Sequence, residues 1–308
     1  MAVGEPELRI AERHSDTAEA VAAMRAGESR LPPGRRLLDD PVAQDLVRRP
    51  LYRAVARSSS LFRLIMWWLE WRCPGVQAHV MYRSRYSDDA VAAAVGARVG
   101  QVVLLGAGFD SSAFRLEVPA TFFDVDVPTT LGVKRERLTA ARRVATSPIN
   151  YVPCHFGVDD LGVGLRDSGF DPTAPALFVW LGVTQYLTIE AFRATLADIR
   201  ALSVPGGRLV LDYAESDVLD GARPHRGVEQ IQKMVAKRGE PLRLGFTPVT
   251  VRDTLADHGF VVDEDVGLLD LATRYPTTGR PRYATEGWNR TVTATVAGRR
   301  TPRGAARS

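Results

Sequence analysis

The sequence predicts an α/β protein on a doubly wound, seven-stranded, mostly parallel sheet, with helices before the first strand and a helical insertion after the fifth. Three observations carry this. Beyond residue 100, short apolar runs alternate with helical patterns, as in successive strand-helix units. The first run, QVVLLGA, is apolar continuously, as expected of a strand buried on both faces. Residues 16–98 read instead as helix, punctuated at Pro32-Pro33-Gly34 and Pro74-Gly75.

In order, the helical stretches are TAEAVAAMRA, DPVAQDLVRR, LYRAVARSSSLFRLIMWWLEWR and VQAHVMYRSRYSDDAVAAAVGA. After QVVLLGA comes a second strand, TFFDVDV, then a helix opened by Pro128 and running through VKRERLTAARRV. INYVPC is the third strand, followed by a helical stretch near DDLGVGLRDSG. ALFVWLG is the fourth, and the helix TIEAFRATLADIRAL after it stops at Pro205-Gly206-Gly207. GRLVLDYA is the fifth, and Glu215 to Leu244 form a polar, partly helical insertion. A helix, VTVRDTLADHGF, precedes strands six and seven, FVVDEDV and RTVTATVAG. Their short separation suggests a hairpin-like last pair with one antiparallel edge strand. The domain reading is a helical cap over 1–98, a core over 99–298 and a disordered basic tail, RRTPRGAARS, from Arg299. The cap is expected over the carboxyl ends of the strands, where such sheets bind ligands.

Composition excludes several classes. A chain of 308 residues, 45% hydrophobic and 25% charged, is an ordinary globular protein. Cys73 and Cys154 make neither a disulfide framework nor a zinc spacing, so no metal is expected and a reducing compartment is the default. MAVGEPELRIAERHSD is too charged for a signal peptide, and LFRLIMWWLEW contains Arg63 and is too short to span a bilayer. A soluble, cytoplasmic protein without membrane partners follows as the expectation. The net charge of +4 does not imply nucleic acid: Lys is rare beside Arg, a coding bias, and the basic tail lacks interleaved aromatics.

The segment VVLLGAGFDSSAFRL, a strand running into Gly106-Ala-Gly108, suggests an adenosine-containing ligand. A dinucleotide fingerprint needs a third glycine where Ser111 stands, and no phosphate-loop motif is present. Asp110 would repel a pyrophosphate but suits a ligand's ammonium group. Asp124 and Asp126, at the tip of the second strand, lie about twenty residues on, where a carboxylate accepts from ribose hydroxyls. They would alternatively cap the helix at Pro128. Glycine turn, ribose acid and no pyrophosphate clamp favour S-adenosylmethionine over a nicotinamide.

These residues carry a resemblance. The chain resembles the leucine carboxyl methyltransferase-like family of S-adenosylmethionine-dependent O-methyltransferases, in the bacterial branch that includes polyketide-tailoring enzymes. The likeness runs from about residue 16 to 297, through LLDDPVAQDLV, YRSRYSDDAV, VVLLGAGFDSSAFRL, FFDVDVP, NYVPCHF, FVWLGVTQYL and GEPLRLGFTP. It implies a class I methyltransferase (Rossmann-like) fold and O-methylation of a carboxylate or phenol on a small aromatic or polyketide molecule. A homodimer is compatible with it. By the same resemblance, Arg83 would pair with the methionyl carboxylate, a task suited to a guanidinium. Gly106 and Gly108 would admit the methionyl and ribose parts, and Asp126 with Asp124 would hold the ribose. His155 and Phe156 would lie beside the adenine, and Leu181 to Tyr186 would form the floor near the methyl group.

Three positions depart from the family pattern: His155 and Leu181 stand where acids are usual, and Ser112 where Arg is common. They sustain an alternative, a protein of this fold that performs a non-methylating step or only binds. Candidate bases are His155, His225, Tyr186, Tyr213 and Asp212, with no distinction between them, whereas His14, His79 and His258 read as lying away from the strand ends. For the acceptor, Tyr186, Tyr213 and Arg243 are candidates, with Arg243 placed to receive an acidic group. Trp67, Trp68 and Trp71, with Phe62 and Met66, read either as core packing or as an apolar acceptor wall.

Overall fold

The computed structural model describes residues 16–236, 241–277 and 287–298. Its centre is β1 (Gln101–Leu105), buried along its whole length. Val102 and Leu104 enter one core cluster and Val103 and Leu105 another, so successive side chains serve opposite sheet faces. β1 pairs in parallel with β2 (Thr121–Asp126), and β2 with β3 (Ile149–Pro153). On its other edge β1 pairs with β4 (Ala176–Trp180), and β4 with β5 (Arg208–Glu215). β6 (Gly245–Phe246) is a two-residue strand against the end of β5 that the sequence pattern did not show. β7 (Phe260–Gly267) and β8 (Asn289–Val296) complete the order β3-β2-β1-β4-β5-β8-β7. The winding direction reverses between β1 and β4, and the crevice outside their carboxyl ends is where an open α/β sheet accepts a ligand.

The last two strands pair as expected, but the antiparallel strand is not at the edge. β8 lies between β5 and β7 and runs against both, which leaves β7 as a parallel edge strand. The chain that leaves β5 re-enters the sheet one strand further out, as β7, and β8 then fills the position between them by pairing with both.

Helices α1 (Asp16–Glu28), α2 (Pro50–Arg57), α3 (Ser59–Arg72) and α4 (Val76–Gly96) precede β1. α5 (Ser112–Arg115), α6 (Pro128–Ala140), α7 (Leu161–Asp167) and α8 (Ile189–Ala201) connect the parallel strands. α9 (Ser216–Leu219) and α10 (Arg226–Ala236) occupy the expected insertion, α11 (Pro248–Asp257) precedes β7, and α12 (Leu268–Arg274) follows it. One sheet face is covered by Leu161, Leu165, Phe192, Leu196, Ile199 and Leu255 from α7, α8 and α11. The other is covered by α4, through Ala78, Met81, Tyr82, Tyr86 and Val91, and by Leu268 and Leu271 of α12. α4 is therefore a layer of the sheet sandwich, while α1 to α3 pack in smaller clusters beside it. The tail from Arg299 and residues 237–240 of the insertion lie outside the described residues.

Beneath α6, Lys134 and Asp124 form an ion pair in which both side chains are almost wholly buried. Burial pushes the Asp124 carboxyl above its ordinary value, and Lys134 opposes this. Lys134→Met strands that carboxylate and is expected to cost about 3–5 kcal/mol in urea unfolding. Adding Asp124→Leu should recover most of the loss; no recovery would mean that the pair is not the source of the cost.

Candidate functional site

The chain leaving β1 is held against β2. The Gly106 and Ala107 N–H groups donate to the Val125 carbonyl at 2.9 and 3.0 Å. Gly106 has φ +67°, and a Cβ there would stand 2.3 Å from Val183 Cγ2, so only glycine fits. The Gly108 N–H donates to Asp126 Oδ2 at 2.6 Å, and the Val127 N–H to Asp126 Oδ1 at 2.7 Å. Asp126 thus ties the end of β2 to the turn, while the N-cap residue of α6, Val127, makes no side-chain cap bond. Burial raises the Asp126 pKa, and those two N–H groups oppose the rise.

A cavity of about 330 Å³ opens at this point, between the carboxyl ends of β1 and β4. Its walls include Gly106, Gly108 and Asp110 after β1, Asp126, Phe156 after β3, and Leu181, Gly182 and Tyr186 after β4. Arg83 enters from α4, and Thr17, Val21 and Arg25 from α1. The structure therefore brings together most residues expected at a cofactor site, with two exceptions. Asp124 lies inside the protein against Lys134 and is absent from the wall, because it sits within β2 while Asp126 ends it. His155 is also absent: its Nδ1 lies 3.0 Å from Asp159 Oδ2, in a turn that also takes its backbone N–H.

Among the acceptor candidates, only Tyr186 lines the cavity. The Tyr213 hydroxyl is buried and donates to Asp265 Oδ2 at 2.9 Å. Arg243 is exposed, its backbone N–H donating to the Gln185 carbonyl. Trp67 and Trp68 are exposed on α3 and belong neither to the core nor to the cavity wall. Of the candidate bases, His225 is buried at the start of α10, where its Nδ1 accepts the Val228 N–H.

Asp212, within β5 and beside the turn that follows β4, organises one side of the site. Arg83 Nη1 lies 2.7 Å and His79 Nε2 3.0 Å from its Oδ2, and the Gly182 N–H donates to Oδ1 at 2.6 Å. Burial alone would raise its pKa, but Arg83, His79 and the Gly182 N–H hold it at about 2. His79 was read from sequence as remote from the strand ends; α4 carries it instead to Asp212 of β5, beside the Gly182 turn that follows β4. Burial lowers the His79 pKa, so the imidazole is neutral at physiological pH. Gly182 lets the guanidinium of Arg83 lie against backbone, since a Cβ would stand 2.7 Å from Arg83 Nη2.

Asp110 forms the other charged wall. Burial works against its charge, yet Arg25, Arg115 and Lys134 hold its carboxyl below the ordinary value, so it is ionised. A guanidinium and a carboxylate therefore face one cavity from different elements, which suits a zwitterionic amino-acid group. Asp126 offers remaining acceptor capacity for a diol, and Phe156 an apolar ring for a flat base. The volume lies within the usual range of small-ligand sites. These residues fit S-adenosylmethionine.

The leucine carboxyl methyltransferase family profile matches residues 18–200. The chain belongs to this family. A Mycolicibacterium smegmatis protein named as an S-adenosyl-L-methionine-dependent methyltransferase is 32% identical over 290 residues, covering 84% of this chain and 92% of that one. A similarly named Parafrankia protein is 36% identical over 208 residues, covering 65% and 63%. The crystal structure of a DUF574 family protein from Streptomyces avermitilis superposes with a TM-score of 0.60 at 15% identity, over 94% of this chain and 100% of that one, and so shares the fold. Membership makes S-adenosylmethionine the cofactor and methyl transfer the chemistry.

Sequence reading of this methyltransferase missed His79, Arg25 and Arg115. Each looks like an ordinary helix residue, and only its buried carboxylate partner distinguishes it. Asp126→Asn is expected to weaken S-adenosylhomocysteine binding by about ten- to a hundredfold in calorimetry, through the loss of charge-assisted acceptance; unchanged affinity would remove Asp126 from the site. The depressed Asp212 pKa contributes stability above the unfolded value of 3.8 that is lost as pH falls towards about 2. Asp212→Asn should therefore cost about 2 kcal/mol at neutral pH and flatten the acid limb of a urea-midpoint series.

Proposed function

We propose that this methyltransferase transfers the methyl group to an oxygen, foremost a carboxylate, on a small aromatic molecule of polyketide type, as a cytoplasmic step of secondary-metabolite biosynthesis. The observation that carries this is the wall after β4. There Leu181, Val183 and Tyr186 present two apolar side chains and one phenol, and no carboxylate or imidazole side chain from this loop reaches the cavity.

The cofactor, when bound, supplies a methyl group already activated by its positive sulfur. The protein's part is then to hold the acceptor oxygen in line and exclude water, which needs no dedicated acid or base. A carboxylate is ionised at neutral pH and suits such a wall, whereas a phenol with a pKa of about 10 would gain from a base. Asp212 cannot serve easily: its low pKa makes it a poor proton acceptor, and Arg83 and His79 already occupy it. Tyr186 is the protic side chain on this wall, and in this reading it orients the acceptor by a hydrogen bond.

The test is incubation with S-adenosylmethionine and a panel of aromatic carboxylic acids and phenols, reading S-adenosylhomocysteine formation and the methylated product by mass. A product cleaved by mild alkali is an ester and is the expected outcome. An alkali-stable ether would move the acceptor to a phenol. Tight S-adenosylhomocysteine binding without turnover across the panel would favour the non-methylating reading that His155 and Leu181 sustain.

A further inference from the structure

Leu64, Trp67, Trp68 and Trp71 follow the i, i+3, i+4, i+7 spacing of one helix face on α3, and they are 59, 66, 51 and 57% exposed. The opposite face is already used: Phe62 and Met66 are buried in a cluster that Met24 of α1 joins. α3 therefore carries two apolar faces, and the stripe of three tryptophans is the outward one. α2 packs against α3 and adds a further exposed leucine, Leu51.

The surrounding charge is one-sided. Residues 48 to 72, which include α2 and α3, contain six arginines and a single acid, Glu70, whose Oε1 accepts the Gly75 N–H. Arg53, Arg57, Arg63 and Arg72 are exposed, and the guanidinium of Arg226 lies 5.1 Å from the ring centroid of Trp71.

We propose that this face is a peripheral docking surface for a bilayer containing anionic lipid, with the tryptophans in the interfacial layer and the arginines on headgroup phosphates. Indole rings favour the interface between hydrocarbon and water, and a basic amphipathic helix lies in that plane. Guanidinium groups match phosphate oxygens in both charge and geometry. Charge complementarity decides against a second copy as the occupant: a two-fold contact through this face would set the arginines against their own counterparts. The contact is superficial, since among the described residues no helix is long and apolar enough to cross a membrane. It is also close to the cavity, because α1, which meets the inner side of α3 through Met24, supplies Thr17, Val21 and Arg25 to the cavity wall. The docking surface stands whether the acceptor is a carboxylate or a phenol.

The test uses the full chain with vesicles of phosphatidylcholine alone and of phosphatidylcholine with phosphatidylglycerol in equal parts, read by co-sedimentation. Binding is expected only to the anionic vesicles and should weaken as salt is raised. Arg63→Gln and Arg72→Gln should each weaken partitioning about fivefold. The double variant Trp67→Ser, Trp71→Ser should abolish it while leaving circular dichroism and S-adenosylhomocysteine affinity unchanged. Failure of the folded wild-type protein to sediment with anionic vesicles would overturn the proposal. So would binding that the tryptophan variant retains. A solution mass that doubles with concentration, and reverts in that variant, would assign the face to a second copy instead.

Discussion

Two buried arginines tie the helices before β1 to the glycine turn, and both line the cavity that opens between them. Arg25 of α1 lies 3.2 Å from Asp40 and 3.6 Å from Asp110, and its guanidinium also donates to the Phe109 carbonyl. Arg115 of α5 grips both oxygens of Asp88 on α4 and approaches Asp40 at 3.8 Å. Asp40, wholly buried, is completed by the Ser111 hydroxyl and the Ala43 N–H. Taking Arg25, Arg115 and Asp40 out of water carries a large desolvation cost, which is offset by pairing them with one another and with the part-buried Asp88 and Asp110. The helices α1 to α3 have modest apolar clusters of their own, so this network specifies where they sit relative to β1.

Glu19 works in the same way on the outer side of α1. It accepts the Arg48 and Arg49 N–H groups, both at 2.7 Å, and pairs with Arg137 of α6. α4 joins the two sides of the site: its Asp88 belongs to the network under the glycine turn, while its His79 and Arg83 reach Asp212 of β5. α4 thus reaches the carboxylate side of the cavity through Asp88 and its guanidinium side through Arg83.

Much of this architecture was legible in the linear chain. The seven long strands announce themselves through local periodicity, and Gly106 and Gly108 through the conformations that other residues resist. Asp126 could be placed at the tip of β2 by spacing alone. Its neighbour Asp124 could not be excluded that way, because only packing shows that Lys134 of α6 pairs with it inside the protein. The stripe of tryptophans shows the same limit: helical spacing groups Leu64, Trp67, Trp68 and Trp71 on one face, yet cannot say which face of α3 turns inward. Nor did spacing reveal that β8 would insert between β5 and β7, since strand order depends on pairing across the whole sheet.

The sequence by itself therefore determined the element order, the glycine turn, the acid at the end of β2 and the family blocks. Each of these depends on residues a few positions apart, where sterics and periodicity act directly. Tertiary structure alone decided which charges meet. Arg83 finds Asp212 across 129 residues, and Arg115 of α5 finds Asp88 of α4 across 27. Such pairings are set by how layers stack, because burial makes each charge seek whatever partner the packed sheet and helices bring within reach.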